Sequence, residues 1–193
     1  MTTQENARTE ESAYEAANGL PIALKEPLQQ LFVEHGPLRQ EMEAIYELAH
    51  GIEDAPIRQA AARLAELIER VEQFNAKLHR HSNKEEELLF PLMARYIGRD
   101  SGPIAVMEYE HDQAKRCLHL FLQRRGDGSQ LTERTTIAEM GRLAADAVVI
   151  LMEHFCKEEH ALFPMANTML SAQELDWLEK EFERIDTQGG NHV

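Results

Sequence analysis

The chain has 193 residues, 43% of them hydrophobic, and a formal charge of −14 from 20 Lys and Arg against 34 Asp and Glu. That is enough for one domain with a sizeable core, and an acidic balance without a long basic run excludes nucleic-acid binding by phosphate neutralisation. No apolar run approaches the roughly 18 residues that span a bilayer, so no membrane partner is expected. The two cysteines, Cys117 and Cys156, cannot form a disulfide framework and suit a reducing, cytoplasmic setting.

Residues 1–19 are polar and acidic, without an apolar leader-like stretch, and are expected to be disordered or loosely packed. Residues 20–185 show helical periodicity almost throughout, and residues 186–193 read as a frayed tail. The first helix is predicted from about Ile22 to about Ala49, with an apolar stripe through Leu24, Leu28, Leu31, Phe32, Leu38, Met42, Ile45 and Leu48. Gly51 should end it. Asp54 should cap a second helix with Pro56 in its first turn, carrying Leu64, Leu67, Val71, Phe74 and Leu78 inward and ending between Tyr96 and Gly98. Ser101, Gly102 and Pro103 open a third helix that runs to about Arg125, followed by a loop at Gly126–Ser129. A fourth begins near Thr132, with Ile137, Met140, Ala144, Ala147 and Leu151 inward. Ser171 with Glu174 forms a capping box for a short fifth helix around Leu175, Leu178 and Phe182. The expected fold is all-α: an up-down-up-down four-helix bundle with a short additional C-terminal helix.

One segment occurs twice. Residues 81–91 read HSNKEEELLFP and residues 154–164 read HFCKEEHALFP, and seven of the eleven positions match. On a helix, positions four apart share a face, so His81 points with Glu85 and His154 with Glu158. Pro91 and Pro164 fall at equivalent places in otherwise helical runs and should kink or loosen both helices alike. An EH pair precedes each copy, at Glu34–His35 and Glu110–His111, and a basic residue follows each of these histidines by four, Arg39 and Lys115.

His35, His81, Glu85, His111, His154 and Glu158 all lie on or beside the apolar stripes. Buried carboxylates without partners are costly and tend to protonate, and a pair of cations is the simple compensation. Two metals, each with two imidazoles and sharing two bridging carboxylates, would use all six residues. Iron would then keep positions for an oxo or hydroxo bridge and an exogenous molecule. Mixed imidazole and carboxylate ligation suits iron, manganese or zinc, and open redox-capable sites would suit O2, peroxide or NO. The ferritin-like di-iron bundles place glutamate first and histidine three residues on, which is a different pattern. Of the other histidines, His50, His79, His160 and His192 are expected to face away from the cluster, while His119 could be a channel residue.

The EH pairs at 34–35 and 110–111, with the two repeated segments, resemble the hemerythrin-like (HHE cation-binding) family over roughly residues 24–168. The resemblance implies a non-haem di-iron centre of two Fe ions held by His35, His81, Glu85, His111, His154 and Glu158, with Glu85 and Glu158 bridging. Manganese and zinc rank behind iron. Oxygen carriers of the family place a fifth histidine where this chain has Lys115 and an aspartate where it has Glu159. The four-histidine, two-glutamate set looks more like bacterial proteins implicated in repairing iron centres under nitric oxide or oxidative stress, without their N-terminal segment of paired cysteines. The implied function is binding or sensing of O2, NO or a related small oxidant. The alternatives are a di-iron enzyme or iron donor in stress defence, and a zinc-filled structural bundle.

Overall fold

The computed structural model describes residues 23–125 and 133–189, all helix and short connections with no strand among them. Helix α1 (Glu26–Glu53) opens with Pro27 in its first turn. Helix α2 (Ile57–Lys84) passes through a π turn at Glu85–Leu89 into α3 (Phe90–Ile97). Helices α4 (Pro103–Arg124) and α5 (Arg134–Lys157) follow. A second π turn at Glu158–Leu162 leads into α6 (Phe163–Met169), and α7 (Ala172–Gly189) ends the chain of elements. The expectations for residues 1–19, the 126–129 loop and residues 190–193 lie outside the described residues.

The expected bundle is observed. α1 packs against α2 and α5, and α4 packs against α5. Gly141 lets α5 approach α1 closely, since a Cβ there would stand 3.3 Å from the Ala49 carbonyl oxygen. Between α3 and α4, Gly98 and Gly102 both take φ +79°, which a side chain would disfavour.

Several boundaries differ from the sequence reading. α1 starts at Glu26 rather than near Ile22 and runs past Gly51 to Glu53, because Ile52 is buried and holds the last turn in the core. Asp54 therefore closes α1 instead of capping α2, whose N-cap is Pro56. At the other end, α7 continues through Gly189 instead of fraying from residue 186, and Asp186 is tied to Lys84 and Gln30. Its capping box is formed as expected: the Ser171 N–H donates to Glu174 Oε2 (2.9 Å), and the Glu174 N–H donates to Ser171 Oγ (3.3 Å).

The two prolines loosen their helices in the same way. The Phe90 N–H donates to the Glu85 carbonyl and the Phe163 N–H to the Glu158 carbonyl, each five residues back. Pro91 and Pro164 then follow with no donor to restore the four-residue register. Each π turn starts on the glutamate of an HxxxE pair.

The interior forms two apolar layers. One contains Leu38, Met42, Phe74, Leu118, Leu151 and Phe155. The other contains Leu28, Phe32, Phe90, Met107, Phe163 and Phe182. His35, His81, His111 and His154 each fall in the chain between a residue of one layer and a residue of the other. A polar stratum thus lies between two apolar ones.

Candidate metal centre

All six residues singled out from the sequence meet in that stratum, and all are at most 4% exposed. Among them His35, His81, Glu85 and Glu158 form one group, and Glu85, His111, His154 and Glu158 another. In each group one ligand-type atom per residue lies within 4.8 Å of the others. The two carboxylates belong to both groups and divide their oxygens between them. Glu85 Oε1 is 3.5 Å from His81 Nε2, and its Oε2 is 3.6 Å from His111 Nε2. Glu158 Oε2 is 3.3 Å from His35 Nε2, and its Oε1 is 3.1 Å from His154 Nε2.

Each imidazole is fixed through its outer nitrogen. His35 Nδ1 meets Glu159 Oε1 (2.7 Å), His81 Nδ1 meets Glu34 Oε2 (2.9 Å), His111 Nδ1 meets Glu86 Oε1 (2.5 Å), and His154 Nδ1 meets Glu110 Oε2 (3.2 Å). A carboxylate opposite Nδ1 favours the tautomer with the proton there, which leaves Nε2 as a lone pair. Four Nε2 atoms then converge on the carboxylate oxygens, and His35 Nε2 stands 3.2 Å from His81 Nε2.

Behind each outer carboxylate stands a cation. Lys84 pairs with Glu34 (2.6 Å), Lys115 and Lys157 pair with Glu86 and Glu110, and Arg39 pairs with Glu159 (2.8 Å). His35 is also stacked on Phe155, with ring centroids 3.8 Å apart and planes 4° from parallel.

The electrostatics follow from this geometry. Burial pushes Glu34 and Glu86 up, but the histidine and lysine each meets outweigh it and hold both at about 2. Glu159 is also lowered, since His35 and Arg39 overcome its burial. Burial drives Glu85 well above the ordinary range, aided by the charge of Glu158. Glu158 goes the other way: His154 and His35 outweigh burial and hold it well below. Burial lowers His81, while His35 and His154 rise because their carboxylates prevail over burial.

The donor set fits a pair of cations. Both oxygens of Glu85, both of Glu158 and Nε2 of His154 are buried without a hydrogen-bond partner. Such orphaned groups cost about 1–3 kcal/mol each, so something absent from the polypeptide is needed to satisfy them. Ligand atoms about 2.1 Å from one metal and about 90–110° apart stand roughly 3.0–3.4 Å from each other. The nitrogen–oxygen separations here run from 3.1 to 3.6 Å.

The other residues noted in the sequence lie outside the inner stratum. Lys115 is engaged with Glu86 and Arg39 with Glu159, so neither faces the inner stratum. His119 is exposed on α4. Cys117 packs against the core, and Cys156 is exposed on the outer face of α5. The supporting roles of Glu34, Glu110, Lys84 and Lys157 were missed, although the signal was present: the E of each EH pair and the K of each KEE run recur in both halves.

An all-α bundle whose buried core presents four imidazoles and two shared carboxylates is a metal-binding bundle protein. The hemerythrin HHE cation binding domain matches residues 26–166, and the chain belongs to that family. It is 34% identical over 126 residues to an iron-sulfur cluster repair protein YtfE of Yersinia pseudotuberculosis serotype IB (strain PB1/+), covering 62% of this chain and 52% of the relative. It is 36% identical over 92 residues to an iron-sulfur cluster repair protein YtfE of Escherichia coli O1:K1 / APEC, covering 47% of this chain and 42% of the relative. The match thus spans about half the length of these curated relatives. Among the described residues no helix is long and apolar enough to cross a membrane.

Proposed function

We propose that the chain is a cytoplasmic non-haem di-iron protein that binds or senses O2, NO or a related small oxidant. Its ligands are His35, His81, Glu85, His111, His154 and Glu158, with Glu85 and Glu158 bridging. The observation that carries this is the way each buried carboxylate aims one oxygen at each imidazole pair. A bound iron pair would supply redox-active cations with positions open to a small ligand. The chain's own part is to hold four Nε2 lone pairs inward through Nδ1–carboxylate bonds, neutralise those carboxylates with Lys84, Arg39, Lys115 and Lys157, and keep bulk water out with the two apolar layers.

Metal analysis of protein purified without added metal tests this reading. About two irons per chain and a stable ligated spectrum on mixing with O2 or NO are expected. About two zincs in place of iron would overturn it in favour of a structural bundle.

A second reading is supported by the similarity to proteins described as iron-sulfur cluster repair proteins. In that case the iron is cargo delivered to a damaged cluster, and transfer of iron to an apo iron–sulfur acceptor is the assay. Decay of the ligated spectrum with product formation would instead indicate an enzyme that consumes peroxide or NO.

A further inference from the structure

The repeat makes the two halves of the stratum near copies, and one feature breaks the symmetry. Lys84 and Lys157 occupy the same place in the duplicated segment. Lys84 is 2% exposed, clamped between Glu34 Oε1 (2.6 Å) and Asp186 Oδ1 (2.7 Å), with its Nζ 5.7 Å from the Phe182 ring centroid. Lys157 is 42% exposed and meets Glu110. The difference comes from α7, which packs on α1, α2 and the first π turn.

Gln30 completes a closed polar ring. Its Nε2 donates to Glu34 Oε1 (3.0 Å) and to Asp186 Oδ2 (2.9 Å). One helical turn before Glu110, the position equivalent to Gln30 is Val106, which is exposed and offers no hydrogen bond. Glu34 is therefore held from two sides and Glu110 from one. Since Glu34 orients His81 and Glu110 orients His154, the stiffness of the ring reaches one imidazole pair and not the other. Asp186 also walls a recess of about 170 Å³ that reaches His81.

We propose that Asp186 is a positioning residue that makes the two metal positions unequal: the ion at His35 and His81 is retained, and the ion at His111 and His154 leaves first. The inference rests on the two-metal reading above. Losing the carboxylate that orients a ligand imidazole typically weakens a metal site on the order of 10- to 100-fold. Asp186 acts one contact further out, through Lys84 and Gln30 on Glu34, so its effect is smaller and falls on one site alone.

The test is partial stripping of the iron-loaded full chain with a ferrous chelator to one iron per chain. Anomalous scattering from crystals at the iron edge then locates the remaining ion. In the wild type it should lie at His35 and His81. In Asp186→Ala and Asp186→Asn it should be shared between the positions, with retention at the first site falling by up to about tenfold. Asp186 is half-exposed in the last turns of α7, and a far-UV melt verifies that both variants fold. A remaining wild-type ion at His111 and His154, an even wild-type distribution, or an unchanged distribution in both variants would overturn the proposal while leaving the two-metal reading intact. Fewer than two metals per chain before stripping would overturn that reading, and the proposal with it.

Discussion

Glu85 and Glu158 are equivalent in the repeat, yet replacing each with methionine should change the stability of the metal-free protein in opposite directions. Glu85 is fully buried, both its oxygens are orphaned, and burial with the neighbouring Glu158 charge drives it toward its protonated form. Its nearest imidazole nitrogens, at 3.5 and 3.6 Å, are at or beyond hydrogen-bond range. Glu85→Met removes two unsatisfied atoms, for which about 1–3 kcal/mol is a fair scale, against a repacking cost below about 1.5 kcal/mol for a substitution of similar volume. The net gain of about 1–2 kcal/mol corresponds to roughly 2–8 °C in melting temperature for a chain of this size. The oxygens of Glu158 also lack hydrogen bonds, but they stand closer to their imidazoles, 3.3 Å from His35 and 3.1 Å from His154, which hold the carboxylate ionised. Glu158→Met therefore breaks a buried ion pair and should destabilise by about 3–5 kcal/mol.

Metal reverses the first sign. Iron at about a hundred times its dissociation constant stabilises the wild type by about 2.7 kcal/mol per site, and a variant without a bridge loses that gain. Calorimetric melts in chelator and in anaerobic ferrous iron should therefore cross for Glu85→Met: above wild type without metal, below it with metal. A variant less stable than wild type in chelator would refute the claim that the carboxylate is unsatisfied. One that still bound two irons would refute its bridging role.

Other outcomes follow from the same contacts. Glu158→Ala should lower occupancy of both metals together, whereas His35→Ala should mainly empty one position, as read by iron content per chain. Glu86→Gln weakens the orientation of His111 and should reduce affinity at the His111–His154 position by roughly 10- to 100-fold, measured by competition with a chelator. Phe155→Ala removes a fully buried ring stacked on His35 and should cost about 3–5 kcal/mol in a denaturant titration. The capping carboxylate Glu174 sits at about 2 against an ordinary 4.5, held down by the Ser171 backbone and by Tyr96. Its contribution is full above the unfolded value and is lost as pH falls through the folded one. The melting temperatures of wild type and Glu174→Gln should then converge between about pH 4.5 and pH 2.

Most of the helical frame and the clustering of the six inner residues were legible in the sequence, because both rest on periodicity and repetition. An apolar stripe every three or four residues fixes which face of a helix is buried, and His35, His81, Glu85, His111, His154 and Glu158 lie on those faces. What escaped depends on contacts between helices. Glu34 serves a histidine on α2 rather than its neighbour His35, and Glu86 serves His111 on α4. No spacing rule within one helix predicts such crossings. The π turns escaped for a different reason: a proline announces that a hydrogen bond is missing but not whether the helix bends or widens around the loss.

Widening at that point has a consequence for the site. In an α-helix adjacent residues diverge by about 100°, so Glu85 and Glu86 could not both be served by one face. Here Glu85 enters the inner stratum while Glu86 reaches the outer nitrogen of His111 on a neighbouring helix. Glu158 and Glu159 do the same toward His154 and His35 in the other half. Each π turn begins at the first glutamate of such a pair and closes just ahead of the proline. The repeated EE and the repeated FP thus act together: the proline prevents return to the tighter register, and the two consecutive carboxylates occupy the widened turn. A Pro91→Ala variant restores a donor and should favour the four-residue register. That would rotate Glu86 away from His111 and weaken metal at that position while leaving, or even raising, helix stability. A variant that retained full affinity there would show that the π turn is held by packing alone and owes nothing to the proline.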